Sequence, residues 1–281
     1  MHKRSIRLGV IGCADVAKRH VLPAIKALPG LFTLQAVASR SRDKADQFAN
    51  EFNASPEYSY NDLVGRDDID AIYIPLPNSM HYEWVKKGLL ANKHVLVEKS
   101  MACAFSEVQE LNCLAKQKQL ILLENFQFRF HVQLDKIKAA LGGGDIGSIR
   151  VIKSSFGFPP FADKNNIRYS KSLGGGALFD VGAYPIKIAQ ELLAEDLYVD
   201  SASLCVDPDI GVDIWGAAQL KSRNSAVTVQ TSFGFDNLYQ CSVEIWGSKG
   251  ILKSSRIFTS PPGAKASIER ISADGTELIS I

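Results

Sequence analysis

Three side chains that can hold or move a proton stand in two short motifs of this 281-residue chain. Lys99 comes two residues after the apolar run 94–97, and Asp180 and Tyr184 stand four residues apart. A lysine at the end of a strand can orient a substrate oxygen, donate a proton to it or accept one. A carboxylate and a phenol four residues apart on a helix share one face and can reach a common pocket. Side chains of these types can carry out proton transfer at a substrate oxygen.

Each of the three residues also has a purely structural interpretation. Lys99 can be a surface lysine that pairs with Glu98, Asp180 a helix N-cap and Tyr184 a packed aromatic ring. On these residues alone both interpretations stay open.

A glycine-containing turn follows the first apolar run of the chain. Its sequence fits the pattern G-x-G-x-x-G/A, with alanine in place of the second glycine. Such a turn lets backbone N–H groups at a helix N-terminus approach a pyrophosphate. A merely tight strand-to-helix turn is the alternative, and the position in a βαβ series favours the cofactor. The predicted cofactor contacts in this turn are Gly12, Cys13, Ala14, Asp15 and Val16.

The residues after the second apolar run indicate which dinucleotide is preferred. An NAD enzyme usually carries Asp or Glu there for the ribose 2′-hydroxyl, whereas this chain has Ser39 and Arg40. These two residues can hold a 2′-phosphate through charge-assisted hydrogen bonds, with Arg42 or Lys44 adding positive potential. We therefore predict NADP in preference to NAD. The alternative is a solvated basic turn before a helix.

The elements that must position these residues alternate in the first half of the chain, which is typical of βαβ units and a parallel sheet. Apolar runs predict strands over 6–11, 34–39, 71–74, 94–97 and 120–123, and helical periodicity predicts helices over 14–28, 42–53, 80–91 and 106–118. This half is expected to form a doubly wound (Rossmann) dinucleotide-binding domain over residues 1–123.

After the glycine run 142–144 the pattern changes to long strands joined by short turns. Strands are predicted over 149–158, 199–206, 212–221, 226–233, 240–246 and 250–258, with one helix over 180–193. We expect an α+β domain over 124–281 with a large, mostly antiparallel open sheet, which binds substrate and pairs with other subunits. The predicted fold class of the whole chain is α/β.

Composition and charge exclude several classes of protein. With 32 Lys and Arg against 30 Asp and Glu, the net charge of +2 favours neither nucleic acid nor an anionic membrane as partner. The five cysteines are odd in number and widely spaced, which argues against a disulfide framework and a zinc site. No apolar stretch reaches about 18 residues, so no membrane span is expected. We predict a cytoplasmic protein without a metal.

Three longer motifs resemble those of the glucose-fructose oxidoreductase and inositol dehydrogenase (Gfo/Idh/MocA) family. They are Ile74–Asn78 with His81, His94–Ser100 and Gly174–Tyr184, and the resemblance runs from about residue 6 to 258. It implies an NAD(P)-dependent oxidoreductase in which Lys99 contacts the reacting oxygen. By the same resemblance Asp180 positions the substrate and Tyr184 relays the proton. The resemblance also assigns cofactor contacts to Leu76, Asn78, His81, Glu98 and Lys99, and the alternative for His81 is that it simply belongs to the following helix.

Two departures from the family pattern bear on the site. Ser100 stands where the family has proline, which removes the fixed φ of proline and its access to a cis peptide bond. The chain also stops soon after the last predicted strand, where family members continue. An uncovered sheet edge is expected to follow, and pairing through the C-terminal sheet as a homodimer or dimer of dimers would cover it.

The reaction expected from these residues is hydride transfer between the nicotinamide and a sugar, a nucleotide-linked keto sugar or a cyclic polyol, with Lys99 and Tyr184 handling the proton. The alternative is an NAD(P)-binding sensor or regulatory protein that kept the fold without turnover. A non-enzymatic assembly subunit is a third hypothesis. For Arg129 we expect either contact with substrate or cofactor, or an inter-domain salt bridge.

Overall fold

The computed structural model describes residues 4–260, 263 and 266–281, and the chain divides into two compact units, Met1–Asn125 and Phe126–Ile281. Among the described residues, no helix is both long enough and apolar enough to cross a membrane.

The first unit is a parallel sheet with helices on both faces. Within the part of the chain described, the strand order is β3-β2-β1-β4-β5-β6, and every neighbouring pair is parallel. The strands are β1 (Ile6–Ile11), β2 (Phe32–Ala38), β3 (Ser55–Glu57), β4 (Ala71–Ile74), β5 (His94–Val97) and β6 (Leu122–Glu124). The helices are α1 (Leu22–Lys26), α2 (Arg42–Phe52), α3 (Tyr60–Val64), α4 (Asn78–Leu90) and α5 (Phe105–Gln117).

Both faces of this sheet are buried, which is why its strands are almost continuously apolar. Successive residues of a strand point to opposite faces. Val10 and Tyr73 pack with the apolar side of α2, whereas Ile11 and Ile74 pack in a separate cluster with α3, α4 and α5. At Gly9 a Cβ would lie 2.7 Å from the Ile69 side chain, so glycine allows the helical layer to approach β1.

The first unit departs from the prediction in three elements. Helix α3 was not predicted. A sixth strand, β3, lies at the edge of the sheet beside β2. The helix predicted over 14–28 is divided into a wide π turn, Ala17–Val21, and the short helix α1. Pro23 lies in the first turn of α1, where its missing N–H is tolerated, so the division falls where proline cannot continue the preceding turn.

The second unit is built on one large sheet. Within the described residues its strand order is β14-β13-β12-β11-β7-β10-β9-β8, with β7 and β10 parallel and the other pairs antiparallel. The strands are β7 (Ile149–Gly157), β8 (Leu197–Val206), β9 (Asp213–Ser222), β10 (Thr228–Gly234), β11 (Gln240–Gly247), β12 (Gly250–Ser255), β13 (Ser267–Ser272) and β14 (Gly275–Ser280). The helices are α6 (Val132–Gly142) and α7 (Ala183–Leu193).

The core of this unit lies between the sheet and its helices. Ile188 and Ala189 of α7 are fully buried and pack in one cluster with Ile152 and Val229 of the central strands. The hairpin β13–β14 and helix α6 were not predicted. Most side chains of β14 are exposed, so this edge strand lacks the buried alternation that identifies a strand in sequence. The predicted fold class, a parallel doubly wound sheet followed by a large mostly antiparallel one, is confirmed.

Candidate functional site

The carboxyl ends of β1, β4 and β5 lie along one edge of the first sheet, because parallel strands all end on the same side. The strand order reverses between β1 and β4: β2 and β3 continue on one side of β1, and β4 to β6 on the other. A crevice at such a reversal is where doubly wound sheets bind nucleotides. Gly12 follows β1, Leu76 follows β4 and Lys99 follows β5 at this edge.

The turn after β1 needs glycine at its first position. Gly12 has φ of 107°, and a Cβ there would lie 2.7 Å from Cδ2 of Leu76. The Gly12 N–H donates to the Ala38 carbonyl at 2.9 Å, which ties the turn to the end of β2. Backbone thus comes close to the crevice with no side chain in between. The turn therefore fits a dinucleotide pyrophosphate.

The remaining predicted contacts of this turn differ in exposure. Cys13 and Ala14 are half-buried, whereas Asp15 and Val16 are exposed. The Asp15 carboxylate lies 2.8 Å from the Arg19 guanidinium one helical turn later. Burial raises the pKa of the Cys13 thiol to about 11, although a hydrogen bond with Ser39 and the Lys44 charge act in the opposite direction. The thiol is therefore neutral at pH 7, and the turn carries no anion at Cys13 that would repel a pyrophosphate.

At the end of β2, the guanidinium group of Arg40 is hydrogen-bonded to the hydroxyl group of Tyr60. Ser39 is buried and its Oγ accepts from the Ser41 N–H at 3.1 Å, whereas Arg40 is exposed. Burial raises the pKa of Tyr60, while the charge of Arg40 and its hydrogen bond to the Tyr60 hydroxyl lower it. Arg42 lies over the ring of Tyr58, with 4.4 Å from the guanidinium carbon to the ring centre. The geometry fits a phosphate bound beside Arg40.

Asn78 and His81 follow β4 and lie in the first turn of α4. Asn78 is the first residue of the helix and is half-buried. His81 is fully buried, and its ring contacts two backbone carbonyl oxygens: Nδ1 is 2.6 Å from that of Ser100 and Nε2 is 2.7 Å from that of Leu76. The ring thus joins the loop after β4 to the loop after β5.

Glu98 is held by two donors at the end of β5. Its Oε1 accepts from the Tyr73 hydroxyl and from Nδ2 of Asn125, each at 2.7 Å. Burial, and then the Glu98 charge, raise the pKa of Tyr73 far above the ordinary value for tyrosine. Tyr73 therefore stays protonated and remains a donor. On the other side of Lys99, the Met101 N–H donates to the Glu124 carboxylate at 2.8 Å.

Lys99 is half-buried and stands between these two fixed points. The expectation that serine at position 100 removes the cis isomer is wrong, because the Lys99–Ser100 peptide bond is cis. Proline is the residue that most readily takes this isomer, but the isomer is open to any residue when the surrounding structure determines it.

In the second unit Asp180 lies in a wide π turn, Leu178–Gly182, directly before α7. Its Oδ2 accepts from Nε of Arg168 at 2.6 Å, and the carboxylate is largely buried. The Leu178 N–H donates to Asp213 at 2.6 Å and so anchors the start of the turn. At Gly176, where φ is 114°, a Cβ would overlap the Asp213 carboxylate. The glycine before the turn is therefore required by both space and φ.

Tyr184 lies in the first turn of α7 and is buried among aromatic rings. The ring centres of Phe156 and Phe126 are 5.1 and 5.4 Å from its own, both edge-on. Its hydroxyl lies 3.5 Å from Oε1 of Gln127. The ring is thus fixed by packing, as the structural interpretation of this residue held, and its orientation does not depend on the hydroxyl group.

Arg129 forms an ion pair within the second unit. Its Nε lies 2.8 Å from the Glu191 carboxylate on α7, which also accepts Lys138 at 3.2 Å and Lys187 at 3.4 Å. These three cations lower the pKa of Glu191 against the opposing effect of burial. This cluster holds α6 and α7 together.

Sequence reasoning missed the residues that hold the site residues in place. Tyr73, Tyr60 and Arg168 contact Glu98, Arg40 and Asp180 respectively. Tyr73 stands in an apolar strand, where sequence pattern assigns a tyrosine to the core. Of the residues that hold the site residues in place, only Glu124 and Asn125 stood in a recognisable sequence motif, the segment 124–131 that leads into the second unit. Among the described residues, no group of three or more His, Cys, Asp or Glu side chains could hold a metal ion.

Comparison with known proteins gives two family matches. The profile described as "Oxidoreductase family, NAD-binding Rossmann fold" matches residues 6–126, and that of the "GFO/IDH/MocA C-terminal domain" matches residues 134–253. Together they cover most of the chain.

Curated relatives share an activity name. A dTDP-3,4-didehydro-2,6-dideoxy-alpha-D-glucose 3-reductase from Actinomadura kijaniata is 42% identical over 91% of this chain and 76% of its own length. The protein of the same name from Saccharopolyspora spinosa is 40% identical over 97% of this chain and 81% of its own.

A solved structure agrees with these matches. A 3-ketoreductase from Actinomadura kijaniata, in complex with NADP and TDP-benzene, superposes with a TM-score of 0.94 at 40% identity and covers 99% of this chain and 85% of that one. Variants of that enzyme in which one tyrosine is replaced by phenylalanine, or one lysine by alanine or glutamate, also match.

Proposed function

This chain belongs to the GFO/IDH/MocA family of oxidoreductases, and from that premise we propose that it is an NADP-dependent reductase of a nucleotide-linked keto sugar. The reaction we assign is reduction of a C3 carbonyl on a dTDP-linked deoxy sugar. One observation carries this proposal: four curated relatives, 35% to 42% identical over at least 91% of the chain, are named as that 3-reductase.

The cofactor assignment is supported by the end of β2. Arg40 and Ser39 stand where an NAD enzyme usually has a carboxylate, and a guanidinium matches a 2′-phosphate in charge and geometry. The related 3-ketoreductase was crystallised with NADP. The residues proposed to hold the dinucleotide are Gly12, Cys13, Ala14, Asp15, Val16, Ser39, Arg40, Leu76, Asn78, Glu98 and Lys99. His81, also expected among them, is fully buried and is left out of this set. When bound, the reduced nicotinamide supplies a hydride to the carbonyl carbon.

Lys99 is proposed to hold the substrate oxygen. Its ammonium group can donate a hydrogen bond to the carbonyl, which makes the carbon more electrophilic and stabilises the charge that develops on oxygen. Glu98 and Met101, on either side of it, are fixed by Tyr73 and Glu124. A lysine on so constrained a backbone keeps its position without a further conformational search.

Tyr184 is proposed to supply the proton that turns the carbonyl oxygen into a hydroxyl, and Asp180 to position the substrate. The aromatic packing of Tyr184 fixes the direction of its hydroxyl, which a proton donor needs. Arg168 keeps the Asp180 carboxylate in one orientation. That variants of the related ketoreductase replace a lysine and a tyrosine supports the choice of these two residue types.

The test is consumption of NADPH, followed by its absorbance, on addition of a dTDP-linked 3-keto sugar. We expect turnover with the nucleotide-linked sugar and much slower turnover with the same sugar lacking the nucleotide. Tight binding of NADPH with no turnover on any keto sugar or polyol would instead identify the sensor that the sequence left as the alternative.

The assembly and compartment are also proposals. We propose a homodimer, or a dimer of dimers, that associates through the eight-stranded sheet, because β8 and β9 expose the apolar side chains Val199, Leu204, Val206 and Trp215. We propose the cytoplasm as its compartment, since the five cysteines are all free thiols.

A further inference from the structure

His81 is buried at the point where two functional loops meet. It lies in α4 with no exposed surface. One loop follows β4 and carries Leu76; the other follows β5 and carries Lys99 and Ser100. The two ring nitrogens are 2.6 and 2.7 Å from a carbonyl oxygen of each loop.

These two contacts cannot be equal in a neutral ring. A carbonyl oxygen only accepts, and a neutral imidazole has one N–H to donate. Burial, the largest influence, lowers the pKa of His81, while the two carbonyls and Glu98 act to raise it and Lys99 to lower it. In the neutral ring we place the proton on Nδ1, because donation from Nδ1 to a backbone carbonyl is a common arrangement of buried histidines.

A direct contact between this ring and the cofactor has no support in the geometry. Both nitrogens already face backbone, and the ring has no exposed surface. The side chain instead stands behind the loop that carries Lys99. Groups in this place act by orienting the residue that does the chemistry, as the partners of metal ligands do.

We propose that His81 is a positioning residue that donates from Nδ1 to the Ser100 carbonyl and thereby fixes the backbone on which Lys99 stands. This inference rests on the proposed role of Lys99 at the substrate oxygen. In this tautomer Nε2 carries no proton, so its contact with the Leu76 carbonyl is not a hydrogen bond and is of secondary importance for turnover.

Two substitutions separate the nitrogens. The amide nitrogen of asparagine, attached to Cγ, takes the place of Nδ1, whereas that of glutamine, one bond further out, takes the place of Nε2. His81→Asn therefore retains the donor to the Ser100 carbonyl, whereas His81→Gln loses that donor and places one opposite the Leu76 carbonyl instead. We expect His81→Gln to lower kcat by about 10- to 100-fold, the range that a displacement near 1 Å can cause, with little change in NADPH affinity. His81→Asn is expected to rescue most of that loss.

The control is His94→Asn at the amino end of β5. Nδ1 of His94 accepts from the Ile121 N–H at 3.0 Å. His94 lies at the end of β5 opposite to the loop that carries Lys99, so this variant changes a histidine away from that loop. Thermal melts of the three variants measure stability separately from turnover. Equal kcat for His81→Asn and His81→Gln, or a greater loss with asparagine, would overturn the proposal, because a residue that only fills the core does not distinguish the two nitrogens.

Lys99→Met, alone and combined with His81→Gln, shows which of the two proposals fails. If His81 acts through Lys99, adding His81→Gln to Lys99→Met causes no further fall in kcat. A further fall equal to that in the wild-type background contradicts positioning. Wild-type kcat in Lys99→Met contradicts the role proposed for Lys99 at the substrate oxygen, on which this inference rests. The acetylation rate of Lys99, measured by mass spectrometry, gives a readout without turnover: it should change in His81→Gln and not in His81→Asn, and the reverse or no change contradicts the inference.

Discussion

At the scale of single residues, the proposed proton donor is the hydroxyl group of Tyr184, whose ring is held by packing against neighbouring aromatic rings. Tyr184→Phe removes only that hydroxyl and keeps the edge-on contacts with Phe126 and Phe156. We therefore expect kcat to fall by about 10²- to 10⁴-fold, the usual contribution of a general acid, with unchanged NADPH affinity and melting temperature. Steady-state kinetics measure kcat, a titration with NADPH measures the affinity, and a thermal melt measures the melting temperature.

Tyr169→Phe is the matched control for this substitution. The Tyr169 hydroxyl accepts from the Phe161 N–H at 3.0 Å, so the control also loses a hydroxyl group in the second unit. Its kcat should remain close to that of the wild type. Full activity in Tyr184→Phe would assign the proton to another group.

We propose that Arg40 decides the choice between the two dinucleotides. Arg40→Asp replaces a donor to the 2′-phosphate with a carboxylate that repels it and accepts from a ribose hydroxyl. We expect NADPH affinity to fall by more than about tenfold, since a charge-assisted hydrogen bond contributes about 1.5–3 kcal/mol, while NADH affinity is kept or rises. Nicotinamide fluorescence titrations measure both constants.

Arg223→Asp makes the same change of charge in the second unit, where Arg223 lies over the Tyr198 ring. It should leave both affinities as they are. Equal loss of NADPH binding in the two variants would mean that long-range charge, and not a contact at Arg40, sets the preference.

At the scale of elements, the sequence specified the buried strands of the first unit well. The predicted bounds of β1, β4 and β5 coincide with those in the structure, because each is an apolar run ended by glycine, proline or charge. Most of the residues proposed to hold the cofactor follow these strands, and so does Lys99, proposed to hold the substrate oxygen. Their places at the sheet edge were therefore predictable from sequence.

What holds those residues was not predictable. Tyr73 and Glu98 stand 25 positions apart, and their hydrogen bond depends on β4 lying beside β5. The π turn before α7 was also missed, since α-helical and π spacing differ by less than one residue per turn and leave no distinct pattern. Strand β14 exposes most of its side chains, so it has no buried face by which periodicity could identify it.

The turn that carries Asp180 depends on Gly176. Gly176→Ala places a methyl group against the Asp213 carboxylate at a φ that only glycine adopts readily. We expect a loss of stability greater than the roughly 1–3 kcal/mol that such a φ costs by itself, and a lower kcat through displacement of Asp180. Urea unfolding and steady-state kinetics test this.

Gly144→Ala is the control, because Gly144 also has a positive φ, 78°, but nothing lies within 4 Å of its Cβ position. Gly144→Ala has the free-energy cost of a positive φ, but its new methyl group overlaps no neighbouring atom. An equal loss of stability in both variants, with kcat unchanged in Gly176→Ala, would contradict the role given to this glycine.

The pairing of β1 with β4 is reinforced by an ion pair that makes stability depend on pH. Arg7 donates to Asp70 from its backbone N–H at 2.9 Å and from its guanidinium at 2.6 and 3.0 Å. These hydrogen bonds hold the pKa of Asp70 well below its ordinary value of about 4. A folded-state pKa below the unfolded one stabilises the fold above the unfolded value, and this stabilisation is lost as pH falls through the folded value.

Asp70→Asn should therefore be less stable than the wild type near neutral pH, with a difference that shrinks as pH falls below about 4. Unfolding in urea across this range measures it. For Asp274→Asn, in the exposed turn between β13 and β14, we expect no such trend. If the wild type remains more stable than Asp70→Asn by the same free energy of unfolding at acid pH, the charge of the Asp70 carboxylate is not the source of the difference.

At the scale of the whole molecule, the proposed assembly depends on the apolar residues that the second sheet exposes. Val199 is 63% exposed on β8, the edge strand, so a charge there opposes burial in a subunit interface. We expect the wild type to elute as a dimer or tetramer at micromolar concentration and Val199→Glu to shift toward monomer. Light scattering coupled to sizing measures this.

Ile121→Glu is the control for that shift, since Ile121 is 65% exposed but lies in the first unit. It should keep the wild-type assembly. A wild type that is monomeric under these conditions would contradict association through this sheet.

The central claim, hydride transfer from NADPH to C3 of a nucleotide-linked keto sugar, is tested most directly by following the label. The protein is incubated with a dTDP-linked 3-keto sugar and NADPH dideuterated at C4 of the nicotinamide, and the sugar product is examined by mass spectrometry and NMR. We predict one deuterium per product molecule, located at C3, and none with Lys99→Met at equal concentration. A product without deuterium, or NADPH oxidised with the sugar unchanged, would contradict the proposed reaction.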